Sequence, residues 1–535
     1  MAELNFPLRQ AADILQALRQ QQEVALVDVR DEALYASGHP LFAVNIPLSR
    51  LELELLDRIP RHATPITLYD NGEGLAQSAA ARIVALGYQD VALLAGDLNG
   101  WQAAGGELFI DVNSPGKAFG ELVEHHNRTP SLSAREVDAL IRSEADVVVL
   151  DARRFDEYQT MSIPRGISVP GAELVLRVRD LAPSPDTTVI VNCAGRTRSI
   201  IGTQSLVNAG IRNPVYALRN GTIGWTLAGL ALEQGQSRRY GDTSETARRH
   251  AAQHARQVAD RAGVQRIDKK QLARWQQEAH TTYLFDVRDA QAFAAGHLPA
   301  SRHVPGGQLV QETDHYASVR GARIVLADDD GVRANMTASW LAQMGWLVAV
   351  LDGLTEADFS ERGDWRAQTP ELPAQQTVSP QQLAQWLQQG GTQVLDFTTR
   401  ANHIKSHIPG AAWLLRSTLH QQGKALLPEA ERYVVTCGSS LLARYALAQV
   451  AELSGKPVFV LAGGNAAWRE AGLPEESGEQ QLLSPPIDRY RRPYEGTDID
   501  PATMQAYLEW EYGLVAQLDR DGTHGFNVLR DSVTA

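Results

Sequence analysis

Two cysteines in 535 residues, Cys193 and Cys437, leave nothing from which a disulfide framework could be built. The expectation is an intracellular protein with two free thiols. No apolar run approaches the ~20 residues that a membrane helix needs. Met1-Ala2-Glu3-Leu4-Asn5 carries no basic stretch followed by an apolar core, so no signal peptide is expected. Positive charge is in short supply, with 50 basic residues against 63 acidic and a formal net charge of −13. That balance argues against a nucleic-acid surface and for a soluble cytoplasmic protein. Neither cysteine has a second Cys or His at zinc-type spacing, and Gly463-Gly464 closes a strand without a dinucleotide fingerprint or P-loop. No metal, nucleotide or other cofactor is therefore expected.

What is present is a repeat. The length suggests roughly three to five domains, and the 44% hydrophobic and 21% charged content is that of a globular chain. A strand-like run ending in aspartate recurs at Asp28, Asp151, Asp286 and Asp396. Arginine follows two residues later at Arg30, Arg153 and Arg288, with Thr398 in the fourth copy. A second apolar run leads 42 residues on to Asp70, Cys193 and Asp328, and 41 residues on to Cys437. Seventeen residues further, Gly87, Gly210 and Gly345 close amphipathic helices, with Ser454 in fourth place. Another apolar strand follows, then Trp101, Trp225 and Trp468, with Phe359 in the third copy.

Such register marks a repeat architecture. Its alternating strands and helices predict an α/β protein in which each unit is a parallel sheet flanked by helices on both faces. Unit boundaries fall at 1–112, 128–235, 264–370 and 375–475. Ser133-x-x-Glu136 and Ser379-x-x-Gln382, the latter with Pro380, read as helix starts, and Asp268-x-x-Gln271 is a weaker version. Asn113–Arg128 reads as a short Gly/Pro-containing link and 236–263 as a helical linker. The tail, 476–535, carries a helical pattern from Pro501 whose Met504, Tyr507, Leu508, Trp510, Leu514 and Leu518 suggest docking on the body.

The chemistry-bearing stretch is Val189–Val191, Asn192, Cys193, Ala194, Gly195, Arg196, Thr197, Arg198 and Ser199, where a buried strand meets a helix start. Helix N-termini present unpartnered N–H groups and partial positive charge. A thiol there is expected to ionise more readily than free cysteine, whose pKa is roughly 8.5. Backbone N–H groups from Ala194 to Ser199 would form a nest for an anion, and Arg196 and Arg198 offer forks to an oxyanion.

The Asp-x-Arg element, Gly296-His297-Leu298-Pro299, the strand–Cys–loop–helix and the Gly463-Gly464…Trp468…Gly472 close make the chain resemble the rhodanese (thiosulfate sulfurtransferase) family. The resemblance implies four tandem rhodanese-like units. Their order Asp70, Cys193, Asp328, Cys437 implies two inactive/active pairs in tandem, units 1 and 2, then 3 and 4. It implies that Cys193 attacks the outer sulfur of thiosulfate, releases sulfite and carries a persulfide to cyanide, glutathione or a protein thiol. Arg196 and Arg198 would hold the donor's oxygens. Arg153 reads as a buried partner of an acid and Arg154 as a pocket-lining residue.

The six-residue loop Cys193–Arg198 separates this reading from phosphatase-like Cys-x5-Arg loops, whose arginine would fall at Ser199. Cys437, in the uncharged loop Cys437-Gly438-Ser439-Ser440-Leu441-Leu442, is a second candidate nucleophile. Its opening is similar to that of mercaptopyruvate sulfurtransferases, and it reads as a second site, a relay or a decayed site. Asp70 and Asp328 read as loop-capping carboxylates. His39, His297 and His407 read as structural, because unit 2 has Ser162 there. Mercaptopyruvate or a persulfide as donor, sulfur delivery to a partner enzyme, and a non-catalytic scaffold or regulator stay open as alternatives.

Overall fold

The computed structural model describes residues 5–529; residues 1–4 of the first unit and 530–535 of the tail lie outside the described residues. Four five-stranded sheets, all parallel, share one strand order. In unit 2 the order runs Ser131–Leu132, Val215–Leu218, Thr188–Asn192, Val147–Asp151, Ile167–Ser168. The central strand, Thr188–Asn192, is β-branched and buried because helices cover both faces. Its carboxyl end delivers Cys193, as the equivalent strands deliver Asp70, Asp328 and Cys437.

The Asp-x-Arg element is a buried fork. Arg30, Arg153 and Arg288 each grip the aspartate two residues earlier with two nitrogens and pass a further N–H to the carbonyl of Gly38, Met161 or Gly296. In unit 4, where Thr398 removes the arginine, His403 Nδ1 lies 2.8 Å from Asp396 and fills the role. Ser133 and Glu136 form the expected capping box, and Ser379 and Asp268 cap their helices.

Both connectors are helical. The linker before unit 3 is helical over Glu245–Arg261. Asn113–Arg128, by contrast, is no loose link: Ser114–Asn127 forms a fourteen-residue helix, largely buried. The glycines and proline that suggested a link have other tasks. Pro115 sits in the first turn, where its missing N–H costs nothing. A Cβ on Gly116 would meet the Gln311 carbonyl at 2.4 Å, and one on Gly120 the Thr197 side chain at 2.9 Å. These glycines let the helix lie against units 2 and 3.

Spatial pairing differs from tandem order. The segment after the Pro170 position of each unit meets its counterpart from unit 2 to unit 3 and from unit 1 to unit 4. Gly171 abuts Gly307, with Arg333 Nε donating to Glu173 at 2.6 Å. Ser49 meets Ser417 at 3.0 Å, and Arg416 forks onto Glu52. Units 1 and 3 share one apolar core containing Val27, Ile66, Tyr283, Phe285 and Ile324.

Candidate active site

The Cys193 loop leads into the helix Thr197–Asn208. Its carbonyls are drawn outward: Thr222 N–H donates to Cys193 O at 3.0 Å and Ile223 N–H to Ala194 O at 3.0 Å. Gly221, at φ +54, makes this approach possible, since a Cβ there would sit 2.2 Å from Cys193 O. Unit 4 repeats the device: Asn465 and Ala466 N–H donate to Cys437 O and Gly438 O, under Gly464.

The carboxylates of the sister loops show what such a loop binds. Asp70 accepts from the N–H groups of Gly72 (2.8 Å), Leu75 (2.6 Å) and Ala76 (2.8 Å). Asp328 accepts from Gly331 (3.1 Å) and Ala334 (2.8 Å), and its carboxyl is held well above the usual range by burial and then by nearby Asp330. Each nest is already filled by the chain's own carboxyl oxygens. Cys437 presents its sulfur to the N–H groups of Ser439, Leu442 and Ala443, the same offsets as at Asp70, although burial still pushes this thiol up.

Cys193 is 1% exposed. Its thiol donates to Ser199 Oγ at 3.3 Å, and Ser199 Oγ donates onward to Arg196 O at 2.8 Å. The expected easy ionisation is not what this closed site shows. Burial pushes the thiol up, against the lowering pull of Arg198 and Ser199. The cover is the tail helix, Pro501–Tyr512: a Cβ on Gly195 would stand 3.1 Å from the Tyr507 ring and 3.4 Å from Glu511 Oε2. Met504, Tyr507 and Leu508 pack against Ile223 of unit 2.

The two loop arginines part company. Arg198 donates in a fork to Glu157 at 2.7 and 2.8 Å and exerts its charge on the thiol. Arg196 points away, with Nε and Nη2 on Glu121 at 2.6 and 2.9 Å, a further bond to Glu124, and its guanidinium 4.4 Å over the Tyr512 ring. Its role is to tie the loop to the connector helix. Sequence reasoning had no signal for Glu121, in a presumed link, nor for Glu511, and read Tyr507 only as part of the tail's docking stripe without placing it at this loop.

Arg153 is buried on Asp151, whereas Arg154 is half exposed beside Asp156 and Glu157. Both line a cavity of about 630 Å³ where unit 2 faces units 1 and 3 and the tail, with Glu157, Arg198, Arg58 and Arg492 also in its wall. Cys193 lies behind Arg198, outside that lining. The histidines are structural: His39 bridges the carbonyls of Pro40 and Asp111, and burial lowers it to about 4. His297 and His407 bond the carbonyls of Phe293 and His403. Among the described residues no helix is long and apolar enough to cross a membrane, and no group of three or more metal-ligating side chains occurs.

A family model described as a Rhodanese-like domain matches residues 11–104, 133–228, 268–357 and 379–471. A crystal structure of a thiosulfate sulfurtransferase from Pseudomonas aeruginosa is 67% identical, covering 98% of this chain and 100% of that one, with a TM-score of 0.96. An HTH-type transcriptional regulator of Mycobacterium tuberculosis is 30% identical over 115 residues, 21% of this chain and 50% of its own length. An uncharacterized protein of Synechocystis is 32% identical over 105 residues, 20% of this chain and 58% of its own. The chain thus spans about half the length of the curated relatives it matches.

Proposed function

The chain belongs to the rhodanese family, and from that premise we propose that it is a thiosulfate sulfurtransferase whose sulfur carrier is Cys193. The observation that carries this reading is the set of four equivalent loops. Two are filled by their own carboxyl groups, and Cys193 alone combines a sulfur at that position with a cationic side chain, Arg198, acting on it. The near-full-length likeness to a thiosulfate sulfurtransferase supports the choice of donor.

The reaction is a displacement at sulfur. The Cys193 thiolate attacks the outer sulfur of thiosulfate, the S–S bond to the sulfonate breaks, and its electron pair leaves with sulfite. The persulfide anion left on Cys193 then gives its outer sulfur to cyanide, a low-molecular-weight thiol or a protein thiol. Backbone N–H groups of the loop stabilise the persulfide as their counterparts stabilise the Asp70 carboxylate. Arg198 favours the thiolate, and Arg196 holds the loop's shape through Glu121. The cavity beyond Arg198, lined by Arg153 and Arg154, is the approach for the acceptor.

A specific observation supports a second sulfur-bearing site at Cys437. Its three N–H partners reproduce the Asp70 nest, although no charged side chain lies within the loop. The free thiols fit a cytoplasmic setting. The test is a thiosulfate:cyanide assay with intact-mass detection of bound sulfur on wild type, Cys193→Ser and Cys437→Ser. Full turnover in Cys193→Ser would overturn the assignment.

A further inference from the structure

The tail helix brings one group to the Cys193 loop that the reaction as described does not use. Glu511 is fully buried, and its Oε2 has no hydrogen-bond partner although Oε1 accepts from Tyr507 Oη at 2.8 Å. The unpartnered oxygen faces the loop, 3.4 Å from where a Cβ of Gly195 would stand, and the carboxyl interacts electrostatically with the Cys193 thiol. A buried carboxyl oxygen with no partner is expensive to maintain. It is best explained by a partner that arrives during the reaction.

We propose that Glu511 is a further catalytic residue, a neutral carboxylic acid whose O–H donates a hydrogen bond to the terminal sulfur of the Cys193 persulfide. The inference rests on Cys193 being the sulfur carrier. No extra co-reactant is involved: the acid keeps its proton while the persulfide stands, and the outer sulfur leaves to the acceptor with the cysteine thiolate restored.

The surroundings keep the acid protonated. Burial first, and then the Glu121 carboxylate, push it up to about 8, against Lys117, Tyr507 and Arg196. Lys117 and Glu121 come from the connector helix, Arg196 and Cys193 from the loop, and Tyr507 from its own helix. Glu121 is itself forked by Arg196, and Lys117 is paired with Asp111 at 2.7 Å beneath the rings of Tyr494, Tyr507 and Trp510. With those charges paired, the acid on Glu511 is the free donor of the cluster. The tail thus completes a site that unit 2 alone leaves open.

The experiment measures kcat/KM for sulfur transfer from thiosulfate to cyanide between pH 6.5 and 9.5, with persulfide yield by intact mass. Wild type, Glu511→Gln, Glu511→Ala and Tyr507→Phe are compared, each checked for a single cooperative thermal melt. The expected wild-type profile bends near pH 8. Glu511→Gln loses the bend, because an amide donates without titrating. Tyr507→Phe moves it upward, because the phenol's hydrogen bond holds the carboxyl down. Glu511→Ala loses roughly tenfold in kcat/KM, the scale of one hydrogen bond to a charged group. Superimposable profiles for wild type and Glu511→Gln, or Glu511→Ala within twofold of wild type, would overturn the proposal. Failure of wild type to acquire sulfur on Cys193 is read separately and removes the premise.

Discussion

At Asp70 three backbone N–H groups close on a carboxylate; at Cys193 the corresponding turn surrounds a sulfur that only Ser199 and Arg198 assist. That contrast sets the residue's chemistry. Because burial raises the Cys193 thiol and Arg198 opposes the rise, removing the guanidinium raises it further. Arg198→Ala is therefore expected to displace the pH profile of iodoacetamide alkylation at Cys193 to higher pH, measured by peptide mass spectrometry in a Cys437→Ser background. An unmoved profile would count against Arg198 as the activating cation. The proposed sulfur carrier was singled out in the sequence by the repeat register and the loop length. The direction of its ionisation was not legible there, because it follows from burial in a site over which residues 507 and 511 close at Gly195, and no local pattern links them to position 193.

Two helices decide what the loop can do. The connector helix Ser114–Asn127 was hidden by Pro115, Gly116 and Gly120, which read as loop punctuation but serve as a first-turn proline and two close-packing sites. Gly120→Val is expected to cost about 1–3 kcal/mol by overpacking against Thr197, seen in urea denaturation, and to lower turnover by disturbing the Glu121–Arg196 tie. The tail helix was legible as a docking element from its aromatic stripe, but its target was not. Its docking should depend on pH. Glu511 has an ordinary value of 4.5 raised to about 8, so the folded state keeps a proton that the unfolded chain loses in between. The stability this contributes is full below 4.5 and is lost as pH rises through 8. The melting temperature of Glu511→Gln should fall less than that of wild type across this window; equal slopes would contradict the assignment.

Across the whole molecule the four sheets could be read from the sequence, while their packing could not. Tandem order pairs unit 1 with 2 and 3 with 4, yet Gly171 meets Gly307 and Ser49 meets Ser417. Nothing in a single unit's periodicity marks which short segment will face which. The 2·3 contact includes a nearly fully buried ion pair, Arg333 with Glu173, and Arg333 also touches Asp330. Arg333→Ala leaves Glu173 buried with Arg177 as its remaining cation, and a loss of about 3–5 kcal/mol is expected. With units 1 and 3 sharing one core and the tail reaching from Trp413 in unit 4 to Gln343 in unit 3, that loss should appear as a lowered single unfolding transition. A calorimetric trace in which one unit melts early while the rest is unmoved would contradict this.

The transfer chemistry rests on sulfur residing on Cys193. The direct measurement is intact-mass and peptide mass spectrometry after incubation with thiosulfate, without acceptor, on wild type, Cys193→Ser and Cys437→Ser. The expected result is one added sulfur mapped to the Cys193 peptide in wild type and Cys437→Ser, discharged by cyanide, and absent from that position in Cys193→Ser. Sulfur loading that is undiminished in Cys193→Ser, or found only on the Cys437 peptide of wild type, would contradict it.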